Sequence, residues 1–203
     1  MPVRFRQLVG WMLRPLLRRL IRHVPADDSW EPHTSRFIKP HIFGPGSLRM
    51  FSWYLEGDSA VEVRSIEDVC RWLAECQYLS DPDLFNERDF WQHPRTFEHL
   101  RKGDCEDHAL WAWRKLIELG HPAEFLVGQW FTGGGEAHDQ HAWVVFDRNG
   151  ERFLFEAVNK DQECMIRALS DARTEYSPHF SVDHAFTMRS YAGYLMYLKE
   201  RAH

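Results

Sequence analysis

Gly103-Asp104-Cys105-Glu106-Asp107-His108-Ala109, then strong helix formers from Leu110 to Leu119, then Gly120-His121-Pro122, is the stretch on which the reading of this chain turns. Asp104 suits an N-cap, Cys105 falls in the first helical turn, and Gly120 stops the helix. After Pro122 the hydrophobic period changes from helical to two. Glu124–Phe131 reads as one strand, and His141–Arg148 and Glu151–Val158 as two more. Asn149-Gly150 between the last two is the pair that a type I′ hairpin turn requires. A Gly133-Gly134-Gly135 loop precedes His141 and reads as a plain glycine-rich connection or a lid.

The two-residue turn fixes a register. Arg148 opposite Glu151 puts Trp143 opposite Glu156 and His141 opposite Val158. His141 and Glu156 then share a face as diagonal neighbours, roughly 7–8 Å apart along the backbone. Glu156 lies on the face of Leu154 and Trp143, where an unpaired carboxylate is costly, and His141 is the partner within reach. A carboxylate beside an imidazole fixes its tautomer and stabilises the imidazolium. If the helix start bearing Cys105 packs on that same face, the three groups become nucleophile, base and orienting acid. The helix dipole is expected to favour the Cys105 thiolate.

These three motifs, in this order and context, resemble the transglutaminase-like superfamily, and the Gly-Asp-Cys-Glu-Asp opening is especially similar to its bacterial cysteine-peptidase-like branch. The resemblance covers about residues 91–158. It implies a papain-like α+β core, a nucleophile-bearing helix packed on an antiparallel sheet, and acyl transfer on a peptide or protein amide without metal or organic cofactor. By position it makes Cys105 the nucleophile, His141 the base and Glu156 the orienting acid. The family usually carries Asp at the third position, often followed by Pro, where this chain has Glu156-Ala157. For the oxyanion, the Cys105 N–H is one donor to consider and Gln92 or Gln129 another. Resolution of the thioester by water gives a peptidase or amidase, and by an amine a transamidase.

Three other readings stand beside it. A non-catalytic binding module would keep the fold without the chemistry. An adaptor would work through the N-terminal arm. A metal hydrolase would use His138, Asp139 and His141, although no helical His-Glu-x-x-His or paired-Cys pattern supports it. Trp91, Trp111, Trp113, Trp130 and Trp143 either fill the core or line a groove.

Around this centre the 203 residues carry 44% hydrophobic side chains and a net charge of −5. That hydrophobic fraction excludes a disordered chain, and the acidity argues against a nucleic-acid binder. Four cysteines are too few for a disulfide scaffold. Cys70, Cys76 and Cys164 read as bystanders.

The charge is uneven. Residues 1–26 hold Arg4, Arg6, Arg14, Arg18, Arg19 and Arg22 and no acid, and the remainder is net −11, with 19 basic and 30 acidic residues. Val9, Leu13, Leu16, Leu17 and Leu20 recur at helical spacing, giving a basic amphipathic helix bent by Pro15. It is too interrupted by charge to span a bilayer or act as a secretory signal. The chain is therefore expected to be cytoplasmic. Residues 1–24 would contact the inner membrane surface, an acidic partner or their own domain.

Residues 27–60 read as an extended wrap or linker with a strand at Leu48–Leu55, and 61–203 as the catalytic domain. Ser65-Ile66-Glu67-Asp68 reads as a capping box opening a helix that carries Val69, Trp72, Leu73, Cys76 and Leu79. Residues 80–99 read as loop. In the tail, Asp183–Ala185 suggests a closing strand or turn and Met188–Ala202 a helix.

Overall fold

In the computed structural model the described residues are 28–33, 49–131 and 137–200, of which 137–139 and 200 are described by backbone alone. The expectations for the basic arm and for the Gly133–Gly135 loop lie outside them. The strands are β1 (Pro32–His33), β2 (Gln77–Tyr78), β3 (Lys102–Gly103), β4 (Ala123–Phe131), β5 (Ala137–Arg148), β6 (Glu151–Phe155), β7 (Ile166–Ala168), β8 (Tyr176–Asp183) and β9 (Met188–Tyr191). The helices are α1 (Ile66–Ala74), α2 (Asp81–Phe85), α3 (Pro94–Leu100), α4 (Cys105–Glu118), α5 (Leu169–Ala172) and α6 (Ala192–Glu200). No helix among the described residues is long and apolar enough to cross a membrane.

Seven strands form one antiparallel sheet in the order β1-β9-β8-β4-β5-β6-β7, while β2 and β3 make a small parallel pair. The α+β architecture is the helix-on-sheet core that the resemblance implies. The sheet buries both faces because its central strands alternate two apolar sets. Ala142, Val144 and Phe146 of β5 join Phe125, Val127 and Phe155 under α4, whose Ala109 and Ala112 allow close approach. Trp143 and Val145 point the other way, with Leu126 and Leu154, and are covered by Trp30, Tyr176 and Ala172. Trp111, Trp113 and Trp143 are fully buried, so these tryptophans are core.

The hairpin follows the register read from its turn. Val144 pairs with Phe155 and Arg148 with Glu151, and Asn149 and Gly150 take the positive φ values of 56° and 83° that a type I′ turn needs. The third strand is shorter than expected, ending at Phe155 rather than Val158. Gly128 serves a close approach instead of a turn: a Cβ there would lie 2.2 Å from the Ser177 carbonyl oxygen, at the irregularity where β4 meets β8.

Elsewhere the chain departs from expectation. Ser65 caps α1 by accepting from the Asp68 N–H at 3.1 Å, but the Asp68 carboxylate reciprocates on the Arg64 N–H, one residue outside the cap. That helix stops before Cys76, because Gln77–Tyr78 leaves to pair with Lys102–Gly103. The strand expected at Leu48–Leu55 is a 3-10 helix over Phe51–Leu55, whose i, i+3 pair Phe51 and Tyr54 packs into the core. Trp30 covers the opposite face of the sheet. Residues 80–99 hold two short helices, since Pro82 and Pro94 sit in their first turns, where a missing N–H costs nothing. The tail forms β9 before its helix begins at Ala192.

Candidate active site

His141 and Glu156 meet as the hairpin arithmetic requires. His141 Nε2 lies 2.9 Å from Glu156 Oε2, and each side chain is only 12% exposed. Glu156 sits just past the end of β6, its N–H donating to the Met165 carbonyl at 2.7 Å. With Nε2 turned to the carboxylate, Nδ1 has no hydrogen-bond partner among the described residues.

The helix bearing Cys105 does not pack on the face that carries His141. Helix α4 packs on the Ala142–Val144–Phe146 face, whereas His141, like Trp143, belongs to the opposite face. Cys105 and His141 border one cavity at an edge of the sheet. Strand β5 continues to Ala137 while β6 pairs with it only from Val144 onward. On the edge so left open, the Ala142 N–H points at the Cys105 sulfur. Cys105 and His141 both line a cavity of about 510 Å³ there, walled also by Tyr78, Trp91 and Gln140.

The thiol is not held as a thiolate. Its Sγ donates to Glu106 Oε2 at 3.1 Å, and no hydrogen bond joins it to His141. Burial pushes the Cys105 pKa well up, and the charges of Glu106 and Asp104 push it further. This corrects the expectation drawn from the helix dipole. Partial charges at a helix start are outweighed by the cost of burying a thiolate away from water, with acidic groups beside it.

The surroundings are strongly acidic. Asp81, Asp104 and Asp107 each bring one oxygen within 4.8 Å of the others, and Asp81, Asp89 and Glu106 do the same. Asp104 occupies the N-cap position of α4 but its side chain makes no cap bond. Asp104 Oδ1 and Asp81 Oδ1 are buried without a partner among the described residues. Burial raises the Asp81 pKa to about 6, against the lowering effect of the Phe90 N–H it accepts from. Burial and neighbouring acids likewise raise Asp104, Glu106 and Asp107. Hard oxygens in this number suit a divalent cation such as calcium.

The sequence reading missed Tyr176. Its hydroxyl donates to Glu156 Oε2 at 2.7 Å, the same oxygen that receives His141. It lies on β8, two strands from β5, and no local pattern announces it. The glutamines considered as oxyanion donors lie elsewhere. Gln92 is tied to Asp107 by its backbone N–H at 2.7 Å and by its side-chain amide, and Gln129 borders a separate cavity beside Trp30 and Ser177. The Cys105 N–H at the start of α4 remains. The side chains of His138 and Asp139 lie outside the described residues, and His141 is engaged with Glu156.

No family model matches the chain, and no curated protein matches it by sequence. Among solved structures it is similar to Legionella pneumophila LapG, at 18% identity and a TM-score of 0.48 over 93% of each chain. It is also similar to the calcium-bound form of that protein, at 18% identity and 0.47, over 87% of this chain and 86% of that one. Likeness at this identity concerns the fold.

Proposed function

We propose that the cavity at the open edge of β5 is a cysteine-dependent acyl-transfer site acting on amide or peptide substrates. Cys105 serves as nucleophile, His141 as base and Glu156 as orienting acid. The observation that carries the reading is the 2.9 Å His141–Glu156 contact, which leaves Nδ1 unengaged in the cavity that holds the Cys105 sulfur.

With Glu156 accepting from Nε2–H, Nδ1 is the basic nitrogen. Because Cys105 rests as a thiol, His141 takes its proton during attack rather than holding a preformed ion pair. The carbonyl carbon gains the sulfur, its oxygen becomes the oxyanion, and the Cys105 N–H faces that charge. His141 then returns the proton to the leaving amine, and water or a second amine resolves the thioester.

A divalent cation held by Asp81 with Asp104 and Asp107, or by Asp81 with Asp89 and Glu106, fits the same site. Asp81 supports this, being 2% exposed with an oxygen unpartnered. Such a cation would offset the two carboxylates that now oppose ionisation of Cys105.

The test is acylation by p-nitrophenyl acetate followed by mass spectrometry. An acetyl adduct should form on Cys105 ahead of Cys70, Cys76 and Cys164, and His141→Ala should slow it severely. Absence of that adduct from the wild-type protein would leave the non-catalytic binding module as the better reading.

A further inference from the structure

The Asp104 carbonyl receives two donors from one residue. The His108 backbone N–H reaches it at 3.2 Å, as in any helix, and the His108 ring Nδ1 lies 2.7 Å away. A trans peptide is planar, so whatever fixes the Asp104 C=O also fixes the N–H of Cys105, which points the opposite way. That N–H has no acceptor within the helix, being the first of the unpaired donors at its start.

The ring can donate to the carbonyl only if its proton sits on Nδ1. Lys160 enforces this. Its Nζ lies 3.2 Å from His108 Nε2 and also donates to the Leu73 carbonyl at 3.0 Å. An ammonium group has donors and no acceptor, so Nε2 must accept and Nδ1 must carry the proton. His108 is fully buried, with its ring against Phe97 and Tyr78, and has no room to turn over. Lys160 follows Glu156 by four residues, just after a turn closed by the Asn159 N–H on the Glu156 carbonyl at 3.3 Å. The segment that supplies the acid to His141 therefore also supplies the group that sets the ring beneath Cys105.

We propose that His108 and Lys160 are positioning residues that hold the Cys105 N–H in line with the oxyanion. The inference rests on the acyl-transfer reading above. Neither side chain touches the reacting atoms. Both act through the plane of the Asp104–Cys105 peptide.

Two reagents separate this role from a general structural one. Acylation by p-nitrophenyl acetate forms a C–S bond, places negative charge on the carbonyl oxygen and expels p-nitrophenolate, so it needs the oxyanion donor. Alkylation by iodoacetamide displaces iodide from a saturated carbon and creates no oxyanion. Lys160→Met should slow acylation of Cys105 about tenfold or more, while its alkylation stays within about twofold of wild type. Lys160→Arg, which restores a donor, should recover most of the loss. Equal slowing of both reactions, or of neither, overturns the proposal. Independently of any variant, ¹⁵N shifts of the wild-type protein should show His108 as the Nδ1–H tautomer, and an Nε2–H tautomer overturns it too. If wild-type Cys105 is alkylated but never acylated, the acyl-transfer reading itself falls and takes this inference with it.

Discussion

Replacing His179 with Leu should flatten the acid side of the stability curve. His179 lies on β8, 2% exposed, with its ring against Phe180 and against Tyr194 and Tyr197 of α6. Its Nε2 has no partner among the described residues, and burial alone lowers its pKa from 6.5 to about 4. The folded-state value is depressed, so the unfolded chain takes up a proton first as pH falls. Stability is therefore lost on going below 6.5, and the loss levels off near 4. The gap amounts to about 3 kcal/mol at its limit and about 2 kcal/mol at pH ~5, with almost none at pH ~7.5. Leu fills similar space without a titrating nitrogen. Urea unfolding of both proteins at those two pH values gives the comparison, and other titrating groups cancel in the difference. Wild type should lose about 2 kcal/mol more than the variant on acidification. Equal losses would refute the claim that this ring is buried neutral. The site would feel the change, because Tyr197 also borders the Cys105 cavity.

Tyr176→Phe removes a 2.7 Å donor from the Glu156 carboxylate and should cost about 2 kcal/mol in urea unfolding, along with a slower acylation of Cys105. Unchanged stability would mean that the carboxylate does not depend on the phenol. Gly128→Ala drives a methyl group to 2.2 Å from the Ser177 carbonyl oxygen and 2.8 Å from Pro178 Cα and Trp143. A loss of about 3 kcal/mol is expected, and a variant as stable as wild type would contradict the β4–β8 packing. Millimolar calcium should raise Tm at neutral pH. The rise should shrink as pH falls through about 6, where Asp81 takes up a proton and competes with the cation, and Asp81→Asn should reduce it. A Tm indifferent to calcium in scanning calorimetry at neutral pH would sink the cation reading.

The hairpin was legible from sequence because its information is local. Asn149-Gly150 admits one turn geometry, and the turn dictates every pairing from Arg148 to Val144. That register brings His141 and Glu156 near each other, and the Met165 carbonyl and Tyr176 hydroxyl hold Glu156 just past the strand end. The helix at Cys105 was legible for a similar reason, through its N-cap position and the glycine stop. What stayed hidden depends on distant parts of the chain. Tyr176 reaches Glu156 across two strands, and Asp81 and Asp89 meet Asp104 and Glu106 only after α2 folds back. The face on which α4 packs is set by the whole sheet, and two-residue strands such as β1 and β2 carry too little pattern to be seen. Pro82 and Pro94 misled because proline punctuates loops and opens helices equally well. The Cys105 thiol misled because a dipole is visible in sequence and burial is not.

The strand order has a consequence in time. Strand β4 is flanked by β5, its neighbour in sequence, and by β8, which begins about 45 residues after β4 ends. The β4–β5–β6 meander needs only short loops to close, so it is expected early during folding, whereas seating β8 must overcome the closure entropy of a much longer segment. Cys105, His141 and Glu156 are all in the chain before β8 begins, yet the phenol that steadies Glu156 arrives with it. A nascent chain thus carries all three groups well before they are locked in place. Completion of that long-range closure is what sets the Tyr176 hydroxyl on the Glu156 carboxylate.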